Sequence, residues 1–521
     1  MALARCRSVV LLGMQARFVD VEVHLGGMPG FTLVGLADAA VNEARDRVRA
    51  AVLSSGEAWP QQRITANLSP ASVPKHGTHF DLPLATAVLA AAGAVPTGSV
   101  DDLVVLGELG LDGGVRPVRG VLPAVLGAAR DGARRFVVPL ANLAEAQVVP
   151  DVEVLGVSSL RTLLAHWRSG TVIPSGAVGV VVGQRDRAQS SPPSAEHTGG
   201  DLAEVVGQPV ARRLVEIAVA GRHHLLLSGP PGSGKTMLAR RMPGLLPPLD
   251  LASAIEVSAV RSLLGLLDPD APLVHDPPFV EPHHTCSAAA LVGGGSGIAH
   301  PGAVSLAHHG VLLLDEAPEF NRTALEALRQ PLETGEVIIT RSRGSGRFPA
   351  RFQLVLTANP CPCGFAGSLL RACRCPPDTV RRYRNRLSGP LLDRVDLHGS
   401  VGPVSRAALA ADTGTCETSA TVRARVADAR LRQAHRFAGQ PWRTNADIPI
   451  RALRTTYRPQ ASVVAPIVTA VDRGALSARG ADRTLRVAWT IADLEEAGSP
   501  RRRHVEEALA YHVGAGDQAV A

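Results

Sequence analysis

The chain has 521 residues, 45% of them hydrophobic, and a formal net charge of +7, enough for two to four domains with sizeable cores. Aromatic residues make up only 3%, which argues against a base-stacking surface of Phe and Tyr, and no apolar run reaches the roughly 18 residues a membrane helix needs. The positive charge permits an anionic partner without demanding one.

The apolar start, MALARCRSVVLLGMQARF, is short for a signal segment and has no small-residue cleavage site, so it reads as a first strand and a cytoplasmic location is expected. VVLLGMQARFVDVEVHL and FTLVGL read as strands, DAAVNEARDRVRAAVLSSG and FDLPLATAVLAAAGAV as helices, and VVLGELGLDGGVRPV as a hairpin about Asp112, Gly113 and Gly114. Residues 1–167 are therefore expected to form an α+β domain. Residues 168–200 turn rich in Gly, Ser, Pro and Gln and read as a flexible linker. An α/β unit follows over 201–403, and helical patterns dominate 404–521. Only two of the 54 basic residues are lysines, Lys75 and Lys235. Arginine prevails elsewhere, so these two positions stand out. Lys75 reads either as a loop lysine on the surface or as a contact for an anion such as DNA.

The strongest motif is HHLLLSGPPGSGKTMLARRM. Gly229, Pro230, Pro231, Gly232, Ser233, Gly234, Lys235 and Thr236 fit G-x-x-x-x-G-K-[ST], after a predicted strand and before a predicted helix. The glycines let backbone N–H groups turn inward around phosphates, and the helix start adds positive potential. Lys235 is a slim point charge that reaches the β- and γ-phosphates where a guanidinium fork fits poorly. About 80 residues on, the apolar run VLLL delivers Asp315 and Glu316. Asp315, with the Thr236 hydroxyl, suits Mg²⁺, and Glu316 suits polarising an attacking water. FQLVLTANP ends a further buried strand at Asn359, placed to orient that water. Arg394, in RLSGPLLDRVDL, is a candidate arginine finger. Arg479, near the start of a C-terminal helix, could report on nucleotide, with Arg483 and Arg486 as alternatives.

Two further features stand near this site. Cys361, Cys363, Cys373 and Cys375 form two Cys-x-Cys pairs able to give four thiolates to one tetrahedral zinc; reduced structural cysteines or disulfides are the other readings. No acid lies between Glu336 and Asp378, while Arg341, Arg343 and Arg347 surround Gly344 and Gly346, as at an exposed hairpin tip able to track a DNA backbone.

Together these elements resemble an AAA+ ATPase of the helix-2-insert clade. The nearer likeness is to the YifB/ComM family of magnesium-chelatase-like ATPases, carried by FTLVGLADAAVNEARDRVRAA, FDLPLA, PHHTCSAAALVGGG, EALRQPLETGEV, NPCPCG and RLSGPLLDRVDLH. The resemblance implies an N-terminal Lon/S5-like α+β domain, a P-loop core with a parallel sheet and a C-terminal helical lid. It also implies a homo-hexameric ring with ATP and Mg²⁺ at subunit interfaces and Arg394 offered to a neighbour. The implied activity is an ATP-driven DNA motor promoting branch migration of recombination intermediates. A chelatase-like or chaperone-like motor on a protein partner is the alternative. One departure is DPPFVEPHHT, where the family tends to carry Arg before Ala-Pro-His-His; Val280 or Glu281 cannot replace its charge. The segments matching Lon's Ser-Lys dyad have neither residue in place, only Phe80 and Asp81 and a lysine-free GGVRPVRGVLPAVLGAA, so no protease activity is expected.

Overall fold

A computed structural model describes residues 2–513 except 37, 39–40, 42, 97, 99, 101, 178–199, 296, 343, 368–370 and 405–415. Among the described residues the N-terminal unit is a mixed eight-stranded sheet. Its centre is a long antiparallel pair, Ala2–Leu12 with Gln15–Gly26. Alternation explains the second strand: Val19, Val21, Val23 and Leu25 are buried while their neighbours stay at least partly open. Every residue of the helix Asp81–Ala91 is buried against this sheet. Asp81 is tolerated there because Arg47 holds its carboxylate with two N–H groups, at 2.7 and 3.0 Å. The hairpin at Asp112–Gly114 forms as the turn residues require.

Two expectations change here. Lys75 is only 1% exposed, and its ammonium donates to the Pro70 carbonyl. It is not a surface lysine: its ammonium is turned into the fold rather than offered to an anion, and burial lowers its pKa. The N-terminal sheet also continues past residue 167. The helix Leu160–Ser169 leads to an edge strand, Ser175–Ala177, antiparallel to Glu153–Val157. The rest of the expected linker, 178–199, lies outside the described residues.

The second unit holds a five-stranded, all-parallel sheet in the order Phe279–Val280, Val311–Leu314, Gln353–Ala358, Leu225–Ser228, Leu397–Ser400. Val311–Leu314 is an unbroken apolar run, and Gln353–Ala358 is buried at every residue though it carries Gln353 and Thr357, because both faces are covered. Helices Ser419–Arg436, Ala461–Asp472, Ala478–Leu494 and Arg502–Val513 make the C-terminal unit. Leu485 and Trp489 of that unit share one apolar cluster with Leu214 and Leu225 of the core.

The N-terminal unit is docked on the core. Ala259, from the core helix Leu251–Leu264, is buried in a cluster with Val121 and Val125. Gly120 N–H donates to Ser262 O at 3.0 Å, and the turn between the two longest strands gives Met14 N–H to Arg347 O at 3.0 Å.

Candidate active site

The strand Leu225–Ser228 is bonded on both sides and ends at the phosphate loop, from which the helix Lys235–Arg241 begins. Gly232 and Gly234 sit at φ +74° and +93°, where a side chain would be strained. Gly229 is fixed by space instead: a Cβ there would be 2.1 Å from Val401 O. Lys235 is 8% exposed and folds back over the loop. Its Nζ donates to Gly229 O (2.8 Å), Pro230 O (2.9 Å) and Asn359 Oδ1 (3.2 Å), which employs all three N–H groups. Burial lowers its pKa, and the charges of Asp315 and Glu316 oppose that shift.

The fully buried strand Val311–Leu314 brings Asp315 to Thr236, whose hydroxyl donates to Asp315 Oδ1 at 2.8 Å. These hard oxygens are the donor type Mg²⁺ takes, so the residues fit that ion. A residue missed in the sequence completes the arrangement. Thr357 Oγ1 donates to Asp315 Oδ1 at 2.6 Å and accepts Glu316 N–H at 2.9 Å. Glu316 has φ +53°, unusual for its type, and this bond pins it there. Thr357 and Asn359 are two residues apart, so they project from one face of the strand end, one toward the acids and one toward Lys235. That spacing was the available signal.

Asn359 leads straight into the cysteine loop. Cys361, Cys363 and Cys373 have Sγ atoms 3.4, 3.6 and 3.7 Å apart, and Cys375 lies with them, all four within 4.8 Å of one another. The sulfurs are too far apart for disulfides. A zinc with Zn–S bonds of ~2.3 Å sets tetrahedral S···S edges of ~3.8 Å, close to this spacing. Backbone N–H groups of Ala366 and Cys375 point at Cys361 and Cys373 sulfurs, at 3.3 and 3.4 Å. Hydrogen bonds from the Arg374 and Phe365 backbone lower the Cys363 pKa to about 6, whereas the pKa values of Cys373 and Cys375 beside it are raised. The cluster is compatible with zinc. A second group, Glu256 with His308 and His309, is a hydrogen-bonded cluster instead. His308 Nδ1 accepts Arg351 N–H at 3.0 Å, so Nε2 carries the proton and donates to Glu256 at 3.0 Å, leaving no lone pair for a metal.

The arginines lie elsewhere. Arg394 is at the opposite edge of the sheet from the phosphate loop, in a cleft of about 970 Å³ lined by His224, Gly310, Gln353 and Asp396, residues at the starts of the parallel strands. Its guanidinium is held by Glu333 and by Pro390 O, and its Nε has no acceptor among the described residues. Arg483 and Arg486 line the same cleft; Arg483 is 9% exposed and faces Asp396 at 3.9 Å. Arg479, the first choice on that helix, is exposed near its start.

The hairpin Glu336–Arg341 with Gly344–Pro349 forms. Arg347 is 55% exposed and pairs with Glu336 at 3.3 Å, whereas Arg341 Nε donates to Gly295 O at 2.8 Å. Arg343 lies outside the described residues. The departure at Glu281 has a local role: it takes Arg240, on the phosphate-loop helix, in two bonds of 2.8 and 3.0 Å.

Family comparisons cover nearly the whole chain. Residues 19–142, 201–409 and 416–512 match the subunit ChlI of Mg-chelatase, the magnesium chelatase subunit ChlI and the ChlI C-terminal region respectively. An uncharacterized protein of Mycobacterium tuberculosis is 51% identical over 98% of this chain and 99% of its own length. The competence protein ComM of Haemophilus influenzae is 40% identical, and the uncharacterized protein YifB of Escherichia coli 38%, each over 98% of this chain and 97% of its own. Lon protease of Chloroflexus aurantiacus is 30% identical over 25% of this chain and 15% of its own length. No helix among the described residues is long and apolar enough to cross a membrane. With a phosphate loop, its acids and its asparagine joined at the end of a parallel sheet, and with these full-length likenesses, the chain belongs to the YifB/ComM family of magnesium-chelatase-like AAA+ ATPases.

Proposed function

We propose that this protein is an ATP-hydrolysing ring motor that acts on DNA and drives branch migration of recombination intermediates. The observation that carries the ATPase half is the linked cluster of Lys235, Thr236, Asp315, Thr357 and Asn359. Lys235 binds the β- and γ-phosphates in exchange for its present carbonyl partners. Thr236 and Asp315 would hold Mg²⁺, which supplies charge neutralisation on the phosphates. Glu316 takes the proton of the attacking water and Asn359 orients that water. Arg394 lines a cleft at the strand starts, whereas its own phosphate loop follows a strand end, which favours a neighbouring copy as its recipient and fits the homo-hexamer this reading includes. The DNA half rests on the hairpin, with Arg347 exposed at its side. The four cysteines hold a structural zinc in this reading, with no open ligand position and no catalytic part.

The deciding experiment measures ATP turnover with and without branched or single-stranded DNA, followed by strand displacement. Stimulation and displacement that weaken as salt rises support the reading. Turnover indifferent to DNA overturns it in favour of a motor on a protein partner, and absence of turnover overturns the ATPase itself.

A further inference from the structure

The cysteine loop touches the phosphate loop as well as the strand it follows. Gly364, between Cys363 and Phe365, has φ +82°, and a Cβ built there would be 2.3 Å from Cδ and 2.4 Å from Cγ of Pro231. Pro231 is the third residue of the phosphate loop. Gly364 is placed by the turn the thiols close: its N–H donates to Cys361 O at 2.9 Å. The same segment begins at Asn359, whose side chain accepts from Lys235 at 3.2 Å. On its far side Arg384 Nε donates to Pro360 O at 3.2 Å. The phosphate loop is thus held at two points by one short segment, through Asn359 on Lys235 and through Gly364 on Pro231. Among its described residues that segment has no helix or strand from 361 to 375, so the convergence of four sulfurs is its main internal tie.

We propose that the four-cysteine centre is a zinc-held buttress for the phosphate loop, so that nucleotide affinity depends on whether the metal is bound. This rests on the nucleotide and zinc readings above. The physical step is short. With the thiolates tied to one ion, Gly364 is pressed on Pro231 and the loop keeps the shape that turns its N–H groups toward phosphates. Without the ion the thiolates lose their common partner, the segment regains conformational freedom, and the phosphate loop must be ordered again at each binding event.

The test uses the full-length reduced protein in excess Mg²⁺. Zinc is counted by elemental analysis, and affinity for a fluorescent ATP analogue is measured as purified, after a zinc-selective chelator, and after zinc is restored. The expected result is one zinc per chain, a loss of about tenfold in affinity on removal, and recovery on restoration. Gly364→Ala is measured beside it: zinc should stay bound while affinity still falls, because the new methyl group must displace Pro231 or shift a turn already at φ +82°. Zinc bound, with affinity unchanged by its removal, overturns the buttress whatever Gly364→Ala does, and leaves the zinc reading standing. Reduced protein without zinc overturns both. Zinc-loaded protein that binds no ATP overturns the nucleotide reading and this proposal with it.

Discussion

Replacing Thr357 with valine keeps the shape of the side chain and removes one hydroxyl. Thr357 is 1% exposed, so water cannot readily take the vacated place. Two interactions go together: the bond to the Asp315 carboxylate at 2.6 Å and the acceptor for Glu316 N–H at 2.9 Å. A hydrogen bond to a charged group contributes about 1.5–3 kcal/mol, and an orphaned buried N–H costs about 1–3 kcal/mol. Part of this falls on folding and part on the positions of the two acids. If about 2 kcal/mol falls on the transition state, turnover drops roughly thirtyfold, since ~1.4 kcal/mol is tenfold. Lys235 keeps its partners, so ATP affinity without Mg²⁺ should stay within about twofold. Thr357→Ser restores the hydroxyl and should recover most of the rate. Steady-state ATP turnover, with affinity measured separately, checks all three. A valine variant with wild-type kcat, or a serine variant as slow as valine, would refute the positioning role.

Arg394→Ala should bind ATP normally and fail to hydrolyse it, and mixing it with Lys235→Ala chains should recover some turnover; no recovery in mixtures would count against a finger shared between copies. Gly13→Val puts a Cβ 2.6 Å from Arg347 N, so the Met14–Arg347 bond must break. The hairpin over residues 336–349 should then exchange its amide hydrogens faster, with a stability loss of about 1–3 kcal/mol, and unchanged exchange would show that the docked domain does not restrain it. His308 is held neutral: burial lowers its pKa to about 4, from an ordinary 6.5. The unfolded chain therefore takes up a proton near pH 6.5 that the folded chain refuses until about pH 4. Stability should fall as pH drops through that window, by up to about 1.4 kcal/mol per pH unit, and Glu256, depressed by its histidine partners, adds loss in the same direction at lower pH. The drop in Tm from pH 7 to 5 should shrink in His308→Gln; an equal drop would place the pH dependence elsewhere.

The parts of this site legible in the sequence are those whose chemistry is local. Lys235 follows its glycines within one loop, and Asp315 and Glu316 end one apolar strand, so spacing alone announces them. Thr357 was not announced, because its role exists only once the strand Gln353–Ala358 lies beside Val311–Leu314. Gly364 on Pro231 is likewise a contact between segments more than a hundred residues apart. Lys75 misled for a physical reason. A lysine in a Gly-, Pro- and His-bearing stretch reads as exposed, yet Pro70 O satisfies its ammonium inside the fold. The end of the first domain was also set by pairing rather than composition, since Ser175–Ala177 is strand only through its register with Glu153–Val157.

The division of the site between two sheet edges is where fold and function meet. In a parallel sheet every strand starts on one edge and ends on the other. Leu225 pairs with Leu397, so Arg394, just before that pair, lies at the starting edge, while Gly229 follows Ser228 at the ending edge. Four strand residues span ~13 Å, before the turn into the phosphate loop is added. An Arg394 side chain at one edge would therefore reach a phosphate at the other edge of a different copy more readily than its own, as the proposed finger requires. Such an interface is head-to-tail, using unlike faces of each chain, and closes into a ring when the rotation allows. In the single chain Glu333 holds the Arg394 guanidinium. If Arg394 is the finger proposed above, docking of a neighbour's phosphate would have to displace that carboxylate, so formation of the interface and completion of the catalytic site would be one event. In the proposed ring, binding at the phosphate loop would need no partner whereas hydrolysis would, so ATP could be bound at many sites and cleaved only at those whose neighbour is in place.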